Sequence, residues 1–370
     1  MRNIPLIKPF IPESAKQAVC DVLDSGYLTE GPVTRAFEAA CAEYMGVKHA
    51  IAVCNCTVGL EVALRALDIG PGDEVIVPDY TYPATADVVR IVGATTVLVD
   101  VCPESMLSCK KHFEAAITNK TKAIMPVSIF GNPLQYDGLL ELQQEHGFRI
   151  IEDAACSIGA KFGDTMVGAW GDIAVFSMHP RKFITTGEGG LITTNNDDLA
   201  AWMRSYKAFG YTTNTDRSTA GFGMIGTNYK LCNIQAAVGL SQMEIVDELL
   251  AKRIELSERY YQILGARDDV GIPAIAAQGR HSFQSCCIYV EGRDRIMSEM
   301  RERGIEVQIG TYSLHKQAAF AEDALCRWVG DFSGSQQAFN RCLTLPVYHE
   351  MSEDDQDYVI TNLVDVLGAG

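Results

Sequence analysis

A rhythm constrains this chain more than any other feature of its sequence. Between residue 49 and about residue 195, short apolar runs alternate with segments of helical periodicity, the pattern from which βαβ units are built. The strand candidates are AIAVC (50–54), EVIVP (74–78), TTVLVD (95–100), KAIMPV (122–127), RIIED (149–153), DIAVFS (172–177) and GLITT (190–194). Among the first five lie the helical segments TVGLEVALRAL (57–67), PATADVVRIV (83–92) and YDGLLELQQEHG (136–147). Strands so apolar and uncharged inside need cover on both faces, as parallel strands have. The expected fold is α/β and doubly wound, with a mostly parallel seven-stranded sheet and mixed connections near its later strands.

One long helical stretch is expected from about Asn233 to Leu264, with Ile234, Ala237, Val238, Ile245, Leu249 and Leu256 on one stripe. It reads as the arm between two domains, the number that 370 residues suggest. Beyond it, SCCIYVEG (285–292), a helix near 295–303, a strand in IEVQIG (305–310) and a final helix near 352–367 predict a smaller α+β domain. The division expected is 1–245 for the large domain and 246–370 for the small one.

Charge narrows the partners. Lys and Arg number 31 against 47 Asp and Glu, a net charge of −16, which argues against a sequence-independent grip on nucleic acid or anionic lipid. No stretch approaches the ~20 apolar residues of a membrane span, and Pro5, Lys8, Pro9 and Pro12 interrupt the opening segment where a signal peptide would be apolar. The 12 cysteines show no CxxC pair or disulfide rhythm, and the 7 histidines show no paired metal spacing. The expectation is a reduced cytoplasmic protein with no metal, its cysteines mostly small apolar residues.

Ligands of open α/β sheets collect at the carboxyl ends of strands. Those ends carry Asn55-Cys56-Thr57, Asp79-Tyr80-Thr81-Tyr82, Glu152-Asp153 and Ser177-Met178-His179. Asn55 or Thr57 can cap a helix whose free N–H groups suit an anion such as phosphate, though a plain capped helix would look the same. Asp153 can serve a ligand or merely cap the next turn. In FSMHPRKFITTGEGG (176–190), Lys182 stands with Ser177, Gly187, Gly189 and Gly190 in a polar turn after an apolar strand. A lone lysine is ordinarily a solvated surface residue; one buried in such a turn is a nucleophile toward carbonyls.

Four ordered runs, GPGDEVIVPDYTYPATA (70–86), IIEDAACSIGA (150–160), GDIAVFSMHPRKFITTGEGG (171–190) and NYKLCNIQAAVGL (228–240), resemble the DegT/DnrJ/EryC1/StrS family of pyridoxal phosphate enzymes. The likeness extends from GYLTEGP (26–32) to LPVY (345–348), nearly the whole chain. The resemblance implies a fold-type I aminotransferase and a homodimer with shared active sites, with residues 1–30 near the substrate site. It implies Lys182 as the covalent anchor of pyridoxal phosphate, Asp153 as partner of the pyridine nitrogen, and Tyr82 as the ring stacked on the cofactor. Cys56, Thr57 and Ser177 would hold the phosphate, and Asn228 would reach it from the partner subunit. Cys156 occupies the position against the ring oxygen where the family commonly has Gln or His, Cys56 stands where it usually has Gly, and Lys230 where Arg is common. Tyr312 and His315 match a segment near the sugar site, and His179 is a pocket candidate for either a substrate contact or a structural role.

The activity this implies is transfer of an amino group from L-glutamate to a nucleotide-linked keto sugar, for amino-sugar, polysaccharide or glycoside biosynthesis. TTGEGG after the lysine is similar to members that aminate carbon 4 of 4-keto-6-deoxy sugars, where carbon 3 enzymes more often carry GDGG. The alternatives are a 3-keto sugar, a keto-cyclitol of the scyllo-inosose type, or an inactive regulatory or scaffold homologue. An inactive homologue could dispense with Lys182 or Asp153, and this chain has both.

Overall fold

A computed structural model describes residues 2–212 and 221–368. Residue 1, residues 213–220 and the last two, among them the outermost residues of both expected domains, lie outside the described residues. All seven expected strands form: β1 His49–Val53, β2 Glu74–Pro78, β3 Thr95–Val99, β4 Thr121–Ile124, β5 Arg149–Asp153, β6 Ile173–Ser177 and β7 Gly190–Thr194. The sheet has one strand more than expected. Cys326–Val329, β8, pairs parallel with β3 at the edge; with the charged, half-buried Arg327 in its middle and Trp328 exposed, it offers no apolar run to read.

The spatial order is β1-β7-β6-β5-β4-β2-β3-β8. β2 to β6 and β8 run parallel, while β7 lies antiparallel to both β1 and β6. Alternate residues serve opposite faces, as the pleat requires. Ala50, Ala52, Ile76 and Ile150 join one buried cluster; Ile51, Val53, Val75 and Ile151 join another. Double cover explains why β2 and β7 are buried along their whole length. Truncating one such side chain, Ile76→Ala for instance, should cost about 2–5 kcal/mol.

The stretch 233–264 is two helices, Asn233–Met243 and Val246–Leu264. Ile245 leaves helical geometry at φ −123 and ψ 18, with no Gly or Pro to announce it and an apolar stripe that continues across the break. Beyond it, Val270–Gly271, Cys286–Val290, Cys342–Leu345 and Gln308–Ile309 form a four-stranded antiparallel sheet with its own core around Tyr260, Ile288, Met300 and Leu363. The strand expected in 305–310 is thus confined to Gln308–Ile309. Helices Arg293–Glu302 and Glu353–Gly368 fall near their expected positions. A short strand, Tyr312–Ser313, pairs with Tyr80–Thr81 just beyond β2. Together with β8 it brings the C-terminal third of the chain to the large sheet. Among the described residues no helix is long and apolar enough to cross a membrane.

Candidate active site

Gly190 organises the first corner. It pairs with Val53 at the end of β1 and with Ser177 at the end of β6. A Cβ on it would lie 2.5 Å from the carbonyl carbon and oxygen of Asn55, so only glycine lets these strand ends converge. Beyond β1, Asn55 adopts extended geometry and its Oδ1 accepts from the Val58 N–H at 2.9 Å, capping helix Cys56–Ala66. The N–H groups of Cys56 and Thr57, in the first turn, lack intrahelical acceptors. Cys56 is not among the residues with positive φ, so a side chain there strains nothing. Burial first, and then the Asp153 charge, push its thiol well above the usual range.

The second corner is the end of β5. Asp153 is 5% exposed; its Oδ2 accepts from Thr85 Oγ1 at 2.6 Å and its Oδ1 from the Ala155 N–H at 3.1 Å. Thr85 lies 2.9 Å from the Thr81 hydroxyl. Burial raises the Asp153 pKa, against the bonds from Thr85 and Ala155 and the charge of Lys182. Lys182 is partly buried, and its Nζ donates to Cys156 Sγ at 3.0 Å. Burial disfavours its charge, but Cys156, Cys56 and Asp153 outweigh burial and the net shift is upward.

Two glutamines hold the lysine loop. Gln284 accepts from the Phe183 N–H at 3.2 Å and donates to the Arg181 carbonyl at 2.7 Å. Gln242 likewise accepts from Thr185 N–H and donates to its carbonyl. Neither glutamine, nor Thr85, is visible as functional in the sequence, because each acts on a backbone or carboxylate more than fifty residues away.

The remaining candidates surround this centre unequally. Tyr82 is 65% exposed and its ring lies 6.3 Å from that of Tyr312, a pair created by the register of Tyr312 with Thr81. His315 Nδ1 lies 2.7 Å from Asp79 Oδ2, the His315 backbone N–H donates to Asp79 Oδ1 at 2.7 Å, and the imidazole ring stacks on Phe332. Ser335 also donates to the fully buried Asp79. Ser177 Oγ accepts weakly from the His179 N–H at 3.4 Å. His179 turns back on its own loop, accepting from the Arg181 N–H at 3.2 Å, with Glu188 3.8 Å away. Asn228 is exposed and accepts from Lys230, whose Nζ lies 4.4 Å over the Phe209 ring. Burial, with Lys207 adding, lowers the Lys230 pKa against the pull of Glu30.

The sequence profile of the DegT/DnrJ/EryC1/StrS aminotransferase family matches residues 9–364. A GDP-perosamine synthase of Caulobacter vibrioides is 40% identical, over 99% of this chain and 100% of its own. A DegT DnrJ EryC1 StrS aminotransferase from Brucella abortus has a crystal structure similar at a TM-score of 0.90, with 34% identity over 96% of this chain and 95% of that one. The PLP form of a sugar aminotransferase from Streptococcus pneumoniae is similar at a TM-score of 0.92, with 28% identity over 100% and 99% of the two chains.

Proposed function

The chain belongs to the DegT/DnrJ/EryC1/StrS aminotransferase family, and from that premise we propose that it moves an amino group from L-glutamate to carbon 4 of a 4-keto-6-deoxy nucleotide sugar. It is a sugar aminotransferase and uses pyridoxal phosphate. The observation that carries the residue assignments is the meeting of Lys182, Asp153 and a capped helix N-terminus at neighbouring strand ends.

The donor set suits the cofactor. Free N–H groups of Cys56 and Thr57 with the Ser177 hydroxyl match a phosphate, a buried carboxylate matches a protonated ring nitrogen, and the exposed face of Tyr82 offers a surface for a planar ring. Bound there, pyridoxal phosphate supplies an electron sink for negative charge developing at a substrate carbon. Asp153, fixed by Thr85 and Ala155, would pair with the ring nitrogen. Cys156 keeps the Lys182 amine positioned by the contact at 3.0 Å. The Lys182 Nζ takes the proton from the α-carbon of glutamate and in the second half-reaction returns a proton to the sugar carbon. Asp79 locks the His315 ring through Nδ1, leaving Nε2 to face the sugar beside Tyr312, with His179 and Lys230 at the margin.

Residues 1–245 form the cofactor-holding unit and 246–370 the second unit in this reading, with 1–30 bordering the substrate. A homodimer completes each site, its Asn228 reaching the partner's phosphate. In support, Phe209, Phe222 and Ile225 are exposed around Asn228, Ile225 at 95%, an apolar surface of the kind that subunits bury. The chemistry of twelve free thiols suits the cytoplasm.

Carbon 4 rests on TTGEGG after Lys182, and the name of the 40% relative makes a GDP-linked keto sugar the first acceptor to try. The deciding experiment offers glutamate with 4-keto and 3-keto nucleotide sugars and scyllo-inosose, and reads product mass and the carbon bearing nitrogen by NMR. Amination of the 4-keto substrate alone is expected. Preference for a 3-keto sugar or cyclitol would replace this reading.

A further inference from the structure

Away from the lysine site, Cys102, Cys109 and His112 place their sulfur and ring-nitrogen atoms within 4.8 Å of one another. Cys102 and Cys109 lie between β3 and the short helix Lys110–Glu114, and His112 lies within that helix. The loop that joins the two cysteines is tightly closed: the Cys102 N–H donates to the Leu107 carbonyl and the Met106 N–H to the Cys102 carbonyl, each at 2.8 Å, with Met106 at φ 63. That turn sets the Cys102 thiol against Cys109, donating to its sulfur at 3.3 Å. Cys109 Sγ lies 3.6 Å from His112 Nδ1, and both cysteines are partly exposed residues.

We propose that Cys102 and Cys109 are a peroxide-sensitive dithiol, in which Cys109 is the sulfur oxidised first and Cys102 the sulfur that closes a disulfide upon it. The Cys109 thiolate attacks one oxygen of a hydroperoxide; an S–O bond forms, the O–O bond breaks, and the departing hydroxide takes up the proton that the thiol had released. Cys109 is then a sulfenic acid, and the peroxide has been reduced. The Cys102 sulfur displaces the hydroxyl: the S–S bond forms, the S–O bond breaks, and water leaves with the Cys102 proton. Two thiols and one hydrogen peroxide give one disulfide and two waters.

The order follows from the geometry. S–H donation from Cys102 is the main influence holding the Cys109 thiol down to about 4, against burial and with His112 assisting. The same hydrogen bond, and then burial, push Cys102 up. Thiolate character and exposure together mark an oxidation-sensitive cysteine. A metal is the weaker reading of the cluster, because His112 Nδ1 already accepts from the Cys109 backbone N–H at 3.2 Å and the sulfurs share a proton.

The test uses the full-length, cofactor-loaded protein, treated with hydrogen peroxide, unfolded, alkylated and digested with trypsin. Both cysteines fall on the single peptide 91–110. The expected product is that peptide two hydrogen masses lighter, refusing alkylation until a reductant is added. Cys109→Ser should abolish it, and Cys102→Ser should stop at a sulfenic acid that dimedone captures on Cys109. Full alkylation of both cysteines after peroxide, or a disulfide from Cys109 to some other cysteine, would overturn the proposal. So would zinc that copurifies in proportion to wild-type protein and is lost from Cys109→Ser.

Discussion

Asp153 combines an unfavourable place for a charge with a set of partners that favour the charge and partly offset burial. Burial works against its ionisation, and the Thr85 hydroxyl, the Ala155 N–H and Lys182 work for it. A charge-assisted bond such as that from Thr85 contributes about 1.5–3 kcal/mol. Asp153→Asn, which keeps shape and loses charge, should lower kcat by on the order of a hundredfold or more while the melting temperature stays close to wild type. Near-full activity would make Asp153 a turn cap. Thr85→Val should lower kcat about tenfold, the scale of a lost supporting bond, and move the pH midpoint of cofactor absorbance; Thr85→Ser should restore both. An unmoved midpoint would reduce Thr85 to packing.

Among the elements, the corner proposed to hold the phosphate depends on one cap and one glycine. Asn55→Ala removes the bond to the Val58 N–H and should cost about 0.5–2 kcal/mol of stability, read by denaturant unfolding. Gly190→Ala places a methyl against Asn55 and should weaken pyridoxal phosphate binding by about tenfold or more, read by fluorescence titration; unchanged affinity would dissociate this corner from the phosphate. The seven apolar strands were legible because burial on both faces leaves a continuous signal, and Lys182 and Asp153 stood out as candidates because strand ends are where such sheets bind ligands. β8 was not, since an edge strand with one exposed face and an internal arginine carries no such signal. The break at Ile245 was hidden by a stripe that stays in register. Thr85, Gln242 and Gln284 were hidden because their partners are set by tertiary packing.

In the complete molecule, the proposed site is a joint product of two chains. Lys182→Ala and Asn228→Ala, each impaired alone, should complement when mixed and allowed to exchange subunits. In a mixed dimer one site takes both residues from unmutated copies and the other carries both lesions, so the two-fold interface predicts about half the wild-type activity per mixed dimer. No recovery despite demonstrated exchange would mean that each site is built from one chain. The claim on which all of this rests, that Lys182 is the covalent anchor of the cofactor, can be read directly. Borohydride reduction of the intact loaded protein, followed by tryptic mapping, should place a pyridoxyl group on Lys182, within the peptide 182–204 that results when cleavage after the modified lysine is blocked. A pyridoxyl group on any other lysine, or none on protein that shows cofactor absorbance, would contradict the account.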